Sequence, residues 1–363
     1  MKFIFFTKTL WSEPPRIRHQ LANMLLKYGH EVVFFEAPSY LLKQSKVSIK
    51  RRDDYQKLIF LKTKQLIHHQ LRVFSLLVEL NSCFEKGQIR KIIGKYSLID
   101  EPVTIINFNY DYFFLKELFP DTPIITVIND DFVAQARLFN GKHVLNALAK
   151  TCGISDAVLS VSSPLVEQLK PFCSPILFLP WADSDYEKPS KNERDSVLLW
   201  ATIGNFIDFY LLADIAIGRP NVQFDLFGPI QKSAEKSLVQ LCQKFNNVTY
   251  FGVKSLSELR LEKYYASVLP YKAGKKEIEA VSLANKTLRL MSKGLPLVTH
   301  GMPNYLEHDA IYKCEGISSV LLALDECRTR FDDLQEEIVS FVANNTEDVR
   351  YLEFLQILDD KRV

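Results

Sequence analysis

The sequence predicts an α/β protein built as two consecutive domains, each a parallel sheet covered by helices. Three observations predict it. A length of 363 residues favours two domains over one. Short apolar runs rich in β-branched and aromatic residues alternate with patterns of helical period. A polar stretch at Asp183–Asp195 (DSDYEKPSKNERD) interrupts that series near its middle and reads as a linker.

Lys2–Phe6 is the first buried strand. The loop Thr7–Pro15 leads to a helix near Arg16–Tyr28, where Ile17, Leu21, Met24 and Leu25 recur with a period near 3.6. Gly29 stops that helix, and Glu31–Phe35 is the next strand. A strand-loop-helix-Gly-strand opening suits a Rossmann-like half. Val103–Ile106 and Pro123–Val127 read as further buried parallel strands, and Ala157–Val161 and Ile176–Leu179 continue the series. After the linker come Val197–Ala201, Phe209–Ile217, Gln223–Phe227, Gln231–Phe245, Val248–Phe251 and Ser257–Tyr264, again strand and helix in turn. The tail from Phe331 to Asp359 reads as helical. The expected boundaries are 1–182, a linker 183–195, a second domain 196–345 and a terminal helix 346–363. Two such domains are expected to face one cleft.

Composition narrows the class. Hydrophobic content of 47% and charged content of 24% are ordinary for soluble globular proteins. No apolar run reaches the ~18 residues of a spanning helix. The start, MKFIFFTKTLW, has a short apolar core and no small-residue cleavage site, so it reads as a strand rather than a signal peptide. Six cysteines show no CxxC pairing, which points to free thiols in a cytoplasmic protein. The net charge of +2 hides an asymmetry: residues 1–95 hold 18 Lys and Arg against 7 Asp and Glu. Within them, Lys43, Lys46, Lys50, Arg51, Arg52, Lys57, Lys62, Lys64 and Arg72 cluster, and Leu66, Ile67, Leu71, Phe74, Leu77 and Val78 follow at helical spacing. Cations beside an amphipathic helix suit an anionic membrane surface; the alternative is a core-facing helix beside a solvated loop. No nucleic-acid motif is present, and the remaining chain is acidic, so nucleic acid is not an expected partner.

The most informative stretch runs from Asn247 to Gly301. Leu283-Ala284-Asn285-Lys286-Thr287-Leu288-Arg289 reads as a helix start, with Asn285 as N-cap and Gly294 at the C′ position before the strand Leu295–Val298. Lys286 and Arg289 are three apart and share one helical face. Two cations beside a helix N-terminus suit a diphosphate, because the free amides and the dipole already favour anions.

The order of elements here resembles the donor half of the GT-B glycosyltransferases, whose chains carry two Rossmann domains. The resemblance rests on Val268-Leu269-Pro270-Tyr271, the loop Lys272–Ser282, and Gly294–Val298. Upstream, Ala201-Thr202-Ile203-Gly204-Asn205-Phe206-Ile207-Asp208 resembles the first strand and glycine turn, and Asp225-Leu226-Phe227-Gly228-Pro229 a second strand end. The family implies a nucleotide sugar, a UDP-sugar here, bound by Lys286, Arg289, Asn285, Thr287, Gly204, Asn205, Tyr271, Lys272 and Glu279. It implies no cofactor and no metal, and a terminal helix that crosses back to the first domain. Many retaining members carry Glu-x7-Glu; Val281 and Arg289 stand at those positions here. The chain is in this respect more similar to the xanthan-type and other bacterial exopolysaccharide glycosyltransferases, which implies inversion.

An inverting transfer needs a base for the acceptor hydroxyl. Asn129-Asp130-Asp131-Phe132 places two carboxylates just past a buried strand, where active sites of such sheets lie. Related bacterial enzymes carry a similar Asp-Asp-Phe element. Adjacent residues of an extended turn point apart, so one Asp faces the site and the other caps the next helix. Asp131 is taken as the base, Asp130 as its alternative and Glu13 as the runner-up. The loop Trp11-Ser12-Glu13-Pro14-Pro15-Arg16-Ile17-Arg18-His19 resembles the family's acidic-Pro-x-Arg turn, which makes Trp11, Arg16 and Arg18 acceptor contacts. The prolines otherwise only set the start of the helix, and His19 reads as a packing residue.

The expectation is a cytoplasmic glycosyltransferase, peripheral on the inner face of the membrane. It would act on a saccharide or lipid-linked acceptor in surface-polysaccharide synthesis. A non-catalytic binding or scaffold protein with the same fold is the competing class. A different two-domain nucleotide-sugar enzyme, such as an epimerase, is the third.

Overall fold

The structure is a computed structural model that describes residues 1–13, 16–40, 51–52, 55–68, 74–136, 140–182, 184–190 and 194–360. The chain divides into two compact units. One is Met1–Leu179 with Tyr351–Val363; the other is Pro180–Arg350.

The first unit is built on eight strands: β1 Lys2–Phe6, β2 Glu31–Tyr40, β3 Arg51–Arg52, β4 Tyr55–Gln65, β5 Val103–Asn107, β6 Ile124–Ile128, β7 Ala157–Ser160 and β8 Ile176–Leu177. Their order is β3-β4-β2-β1-β5-β6-β7-β8. Only β3 and β4 pair antiparallel; the other neighbours are parallel. Strands β5 and β6 are buried at every residue, as is β1 from Phe3 on, which is why they read as continuous apolar runs. Phe6 stacks on Phe35 at 4.6 Å between ring centres, and Phe5 lies between Phe34 and Phe108 at 5.9 Å from each. Such pairs add about 0.5–1.5 kcal/mol beyond the area they bury.

Strand β4 was not visible in the sequence. Its residues KLIFLKTKQ carry lysines that merge with the basic cluster, yet Val32–Phe35 of β2 pair in register with Leu58–Leu61. The following helix is also displaced from its expected place. It spans Ser75–Tyr96, so Leu77 and Val78 fall on it, whereas Leu66 and Ile67 follow the end of β4. Of the cationic cluster, Lys43, Lys46, Lys50 and Arg72 fall outside the described residues.

The second unit holds six parallel strands: β9 Ser196–Trp200, β10 Gln223–Phe227, β11 Val248–Tyr250, β12 Tyr264–Pro270, β13 Leu297–His300 and β14 Ile311–Cys314. Their order, β11-β10-β9-β12-β13-β14, is the doubly wound Rossmann order. The expected helix at Ser257–Tyr264 is absent. Two short 3₁₀ turns, Leu256–Glu258 and Leu261–Lys263, take its place, and Tyr264 opens β12. The reason is tertiary: the fully buried Asp225 of β10 accepts the Tyr264 hydroxyl at 2.8 Å and pairs with Lys263. Gly228 ends β10 at φ +136°, and a Cβ there would lie 1.9 Å from the Ala201 carbonyl oxygen, so only glycine fits.

The tail is helical as expected, in two helices, Leu334–Ala343 and Glu347–Asp360. From Tyr351 onward the last helix belongs to the first unit. Tyr351 stacks on Tyr28 at 3.6 Å and shares a 2.8 Å hydrogen bond with His30 Nε2, while Phe354 packs against Phe3 and Phe178.

Candidate active site

In a doubly wound sheet, ligands bind at the carboxyl ends of the strands where the connections diverge. That point lies between β1 and β5 in the first unit and between β9 and β12 in the second.

In the first unit a cavity of about 230 Å³ opens there. Lys8 and Thr9 line it from beyond β1, Asn109 from beyond β5, and Asp130 from beyond β6. Glu13, Arg16 and Arg18 line it from the first loop and helix. Of the two candidate aspartates, Asp130 faces the cavity. Asp131 instead holds its own turn: its carboxylate accepts the Ala134 N–H at 2.8 Å and the Gln168 amide at 3.2 Å. Asp130 accepts from the side-chain amides of Asn129 and Gln135. Burial pushes the Asp130 carboxyl above its ordinary value, and the guanidiniums of Arg18 and Arg16 oppose that shift. A carboxyl so placed suits a general base.

Glu13 lies at the mouth, where its carboxylate accepts the Leu10 N–H at 3.1 Å and stands 3.9 Å from Arg16. Trp11 does not line the cavity. Its half-buried ring packs on Phe34 at 5.0 Å and on His19 and Phe60 at 5.3 Å each rather than on the cavity. His19 is buried too: its Nδ1 accepts the Arg16 N–H at 3.1 Å, and its Nε2 lies 3.3 Å from the Leu10 carbonyl. Burial lowers its pKa, which favours the neutral ring. Lys8 carries an enclosed charge cluster. Its ammonium pairs with Glu85 at 2.9 Å and Asp111 at 3.0 Å and sits 4.3 Å from the Tyr112 ring centre. Sequence spacing gave no sign of it, because Glu85 and Asp111 lie far along the chain.

In the second unit the helix Asn285–Met291 brings two cations to the ends of β9 and β12. Lys286 donates to the Tyr271 hydroxyl and lies 4.9 Å from that ring's centre. Arg289 stacks over Trp200, 5.1 Å away. Trp200 was not singled out in the sequence, and its ring is brought to Arg289 by the fold. Ala284, not Asn285, is the N-cap; Asn285 is the first helical residue, and the Ala284 N–H donates to the Tyr305 hydroxyl at 3.0 Å. Thr287 is fully buried and bonds to that same hydroxyl, so it anchors the helix from beneath. Gly294 ends the segment at φ +74°, with the Leu295 N–H returning to Leu290 O at 3.2 Å.

The loop after β9 runs close by. Gly204 accepts the Ile207 N–H at 3.1 Å, and a Cβ on it would collide with Gln231 and Phe206. Asn205 is exposed within this turn. Lys272 donates its backbone N–H to Phe206 O at 2.9 Å, and the Phe206 ring meets Tyr271 edge-on at 5.3 Å. Glu279 closes a short helix, and its carbonyl accepts the Asn304 amide at 2.9 Å. One helix therefore carries Lys286 to Tyr271 and Arg289 to Trp200, and the backbone of Lys272 is bonded to the turn that holds Gly204 and Asn205. Among the described residues no group of three or more His, Cys, Asp and Glu is placed to hold a metal, and no helix is long and apolar enough to cross a membrane.

No protein-family profile matches the chain, and no curated protein matches it in sequence. Solved structures do match it, along nearly the whole length. Sucrose-phosphate synthase from Thermosynechococcus elongatus has a TM-score of 0.70 at 12% identity, over 99% of this chain and 98% of that one. Anabaena HepE in complex with UDP has a TM-score of 0.68 at 10% identity, over 99% of both chains. The fold is that of the GT-B glycosyltransferases. An α,α-trehalose-phosphate synthase (UDP-forming) from Burkholderia vietnamiensis shares this GT-B fold at TM-score 0.65 and 11% identity, over 98% of this chain and 96% of that one. A GT-B fold hosts many activities, so activity has to be argued from the side chains.

Proposed function

We propose that the protein is a glycosyltransferase that moves a hexosyl or glucuronosyl group from a UDP-sugar to a saccharide acceptor, with inversion. One observation carries this reading: in each unit, groups of the right chemistry sit at the carboxyl ends of the strands flanking the switch point. The second unit holds the donor. Lys286 and Arg289 stabilise the charge that develops on the leaving diphosphate. Gly204, Asn205, Tyr271, Lys272 and Glu279 contact the sugar nucleotide, and Asn285 and Thr287 fix the helix that carries the cations. The first unit holds the acceptor on Arg16 and Arg18, and Asp130 takes the proton from its hydroxyl. Val281 and Arg289, at the positions of a retaining Glu pair, support inversion. Neighbours of the same fold solved with UDP, and with UDP-glucose, support the choice of nucleotide.

The deciding experiment is UDP release measured with and without a panel of saccharide acceptors. Release that depends on acceptor is expected. UDP binding without release would favour a non-catalytic binding protein, and an epimerised sugar formed without acceptor would favour an epimerase.

We infer further that the acceptor is lipid-linked, belongs to a surface polysaccharide, and is met at the cytoplasmic face of the membrane. The basic first quarter supports this, with 18 Lys and Arg against 7 Asp and Glu in residues 1–95. So do Phe74, Leu76 and Leu80 at the start of the Ser75–Tyr96 helix, which are 68%, 63% and 53% exposed. Each cation near an anionic surface adds about 1 kcal/mol. The protein is expected to co-sediment with anionic but not neutral vesicles. Salt should weaken this, because exposed charges are screened over about 8 Å at physiological ionic strength. The triple change Lys50→Glu, Arg51→Glu and Arg52→Glu should release it without altering UDP binding. Equal sedimentation of both proteins would make the acceptor soluble.

A further inference from the structure

Two buried cations line the first unit's cavity, and the fold treats them differently. Lys8 is compensated by Glu85 and Asp111, at 2.9 and 3.0 Å. Arg18 is only 6% exposed, yet among the described residues no carboxylate reaches ion-pair distance of it. Its Nη1–H donates to Thr9 Oγ1, and its Nε–H has no acceptor among the described residues.

A buried guanidinium left in that condition is costly, because buried charges are ordinarily paired and buried donors satisfied. A water molecule supplies an acceptor but no charge. The cavity, at about 230 Å³, is also far larger than the ~30 Å³ share of one water. A planar guanidinium fork matches carboxylate and phosphate oxygens, which supply charge and acceptor together. Arg16, at the cavity mouth with its side chain 54% exposed, adds a second cation.

The geometry points to an oxyanion subsite: the acceptor carries a phosphate or carboxylate group that sits on Arg18, with Arg16 at the rim. The inference rests on reading this cavity as the acceptor site, and it narrows the substrate class to anionic saccharides. Recognition then has two points, the oxyanion on Arg18 and the reacting hydroxyl at Asp130. A neutral sugar satisfies only the second and leaves Arg18 with no anion at ion-pair distance among the described residues. Burial itself pulls the Arg18 guanidinium below its ordinary value, with Asp130 opposing, and an anion bound there would oppose the same shift.

The test is isothermal titration of the full chain, in the presence of saturating UDP, with four probes: glucose, glucose 6-phosphate, glucuronate and inorganic phosphate. At least one of the two sugar oxyanions should bind while glucose does not. The tighter of the two identifies the group as phosphate or carboxylate. Arg18→Gln should weaken that binding by roughly 10- to 100-fold and leave UDP affinity unchanged. Should Arg18→Gln fail to fold, Arg18→Lys keeps the charge but loses the fork, and a smaller loss of affinity is expected. Unchanged affinity in either folded variant, or binding of no oxyanion probe while UDP binds, overturns the subsite. Inorganic phosphate binding as tightly as the sugar oxyanions overturns its assignment to the acceptor. Oxyanion binding in a protein that fails to bind UDP leaves the subsite standing and sinks the glycosyltransferase reading instead.

Discussion

Lys286→Ala weakens UDP binding by roughly tenfold to a hundredfold, the effect of losing a charge-assisted contact worth about 1.5–3 kcal/mol. Turnover falls with it, because the same ammonium stabilises the leaving diphosphate. The fold persists: Lys286 is half-buried, and its partner Tyr271 keeps its ring contact with Phe206 at 5.3 Å. Titration calorimetry with UDP checks the affinity, and a thermal melt checks the fold. Tyr271→Phe serves as the comparison, since it removes only the hydroxyl that Lys286 holds. If that ammonium acts on the nucleotide directly, Tyr271→Phe costs less than Lys286→Ala. A Lys286→Ala protein with undiminished UDP affinity rejects the donor seat.

Asp130→Asn lowers turnover by roughly 10² to 10⁴, the usual contribution of a general base, and leaves UDP affinity as it was. The product of the unmodified enzyme has inverted anomeric configuration; a retained configuration by proton NMR rejects a base at this position. Stability moves the other way from activity. Burial holds the folded pKa of Asp130 above its unfolded value. The folded state therefore keeps this proton at a pH where the unfolded chain has released it, and stability declines as pH rises through the raised pKa. Asparagine cannot ionise and does not incur that loss, so at neutral pH Asp130→Asn melts at or above the temperature of the unmodified protein. An inactive variant that melts lower marks Asp130 as a structural residue. The acidic limb of kcat/KM should likewise lie above the ordinary carboxylate value, because the base acts only when deprotonated.

How far the sequence alone reached differs between the two units. In the second, the spacing of Lys286, Arg289 and Gly294 and the turn at Gly204 were legible, because caps, stops and helical faces are local features. The cap itself was misplaced by one residue: Asn285 has the better capping side chain, but the Ala284 N–H is held by the Tyr305 hydroxyl, a tertiary contact. In the first unit the loop after β1 was recognised as site-forming, but not the duties within it. Trp11 reads the same in sequence whether it meets a ligand or packs on Phe34 and Phe60. Asp130 and Asp131 are adjacent and alike, and only the turn through Ala134 and the approach of Gln168 decide which carboxylate is engaged.

The sequence by itself determined the α/β class, the two-part organisation and the places of most strands along the chain. Parallel strands buried on both faces are mostly apolar, and glycine favours the positions where φ is positive. The tertiary structure alone decided which charges are buried and with what partners. Lys8 meets Glu85 and Asp111, Arg289 meets Trp200, and Arg18 turns inward onto Thr9 rather than out to solvent. Burial of a charge depends on what the rest of the chain brings to it, and a period of 3.6 or 2 residues reports only the local face on which a side chain lies.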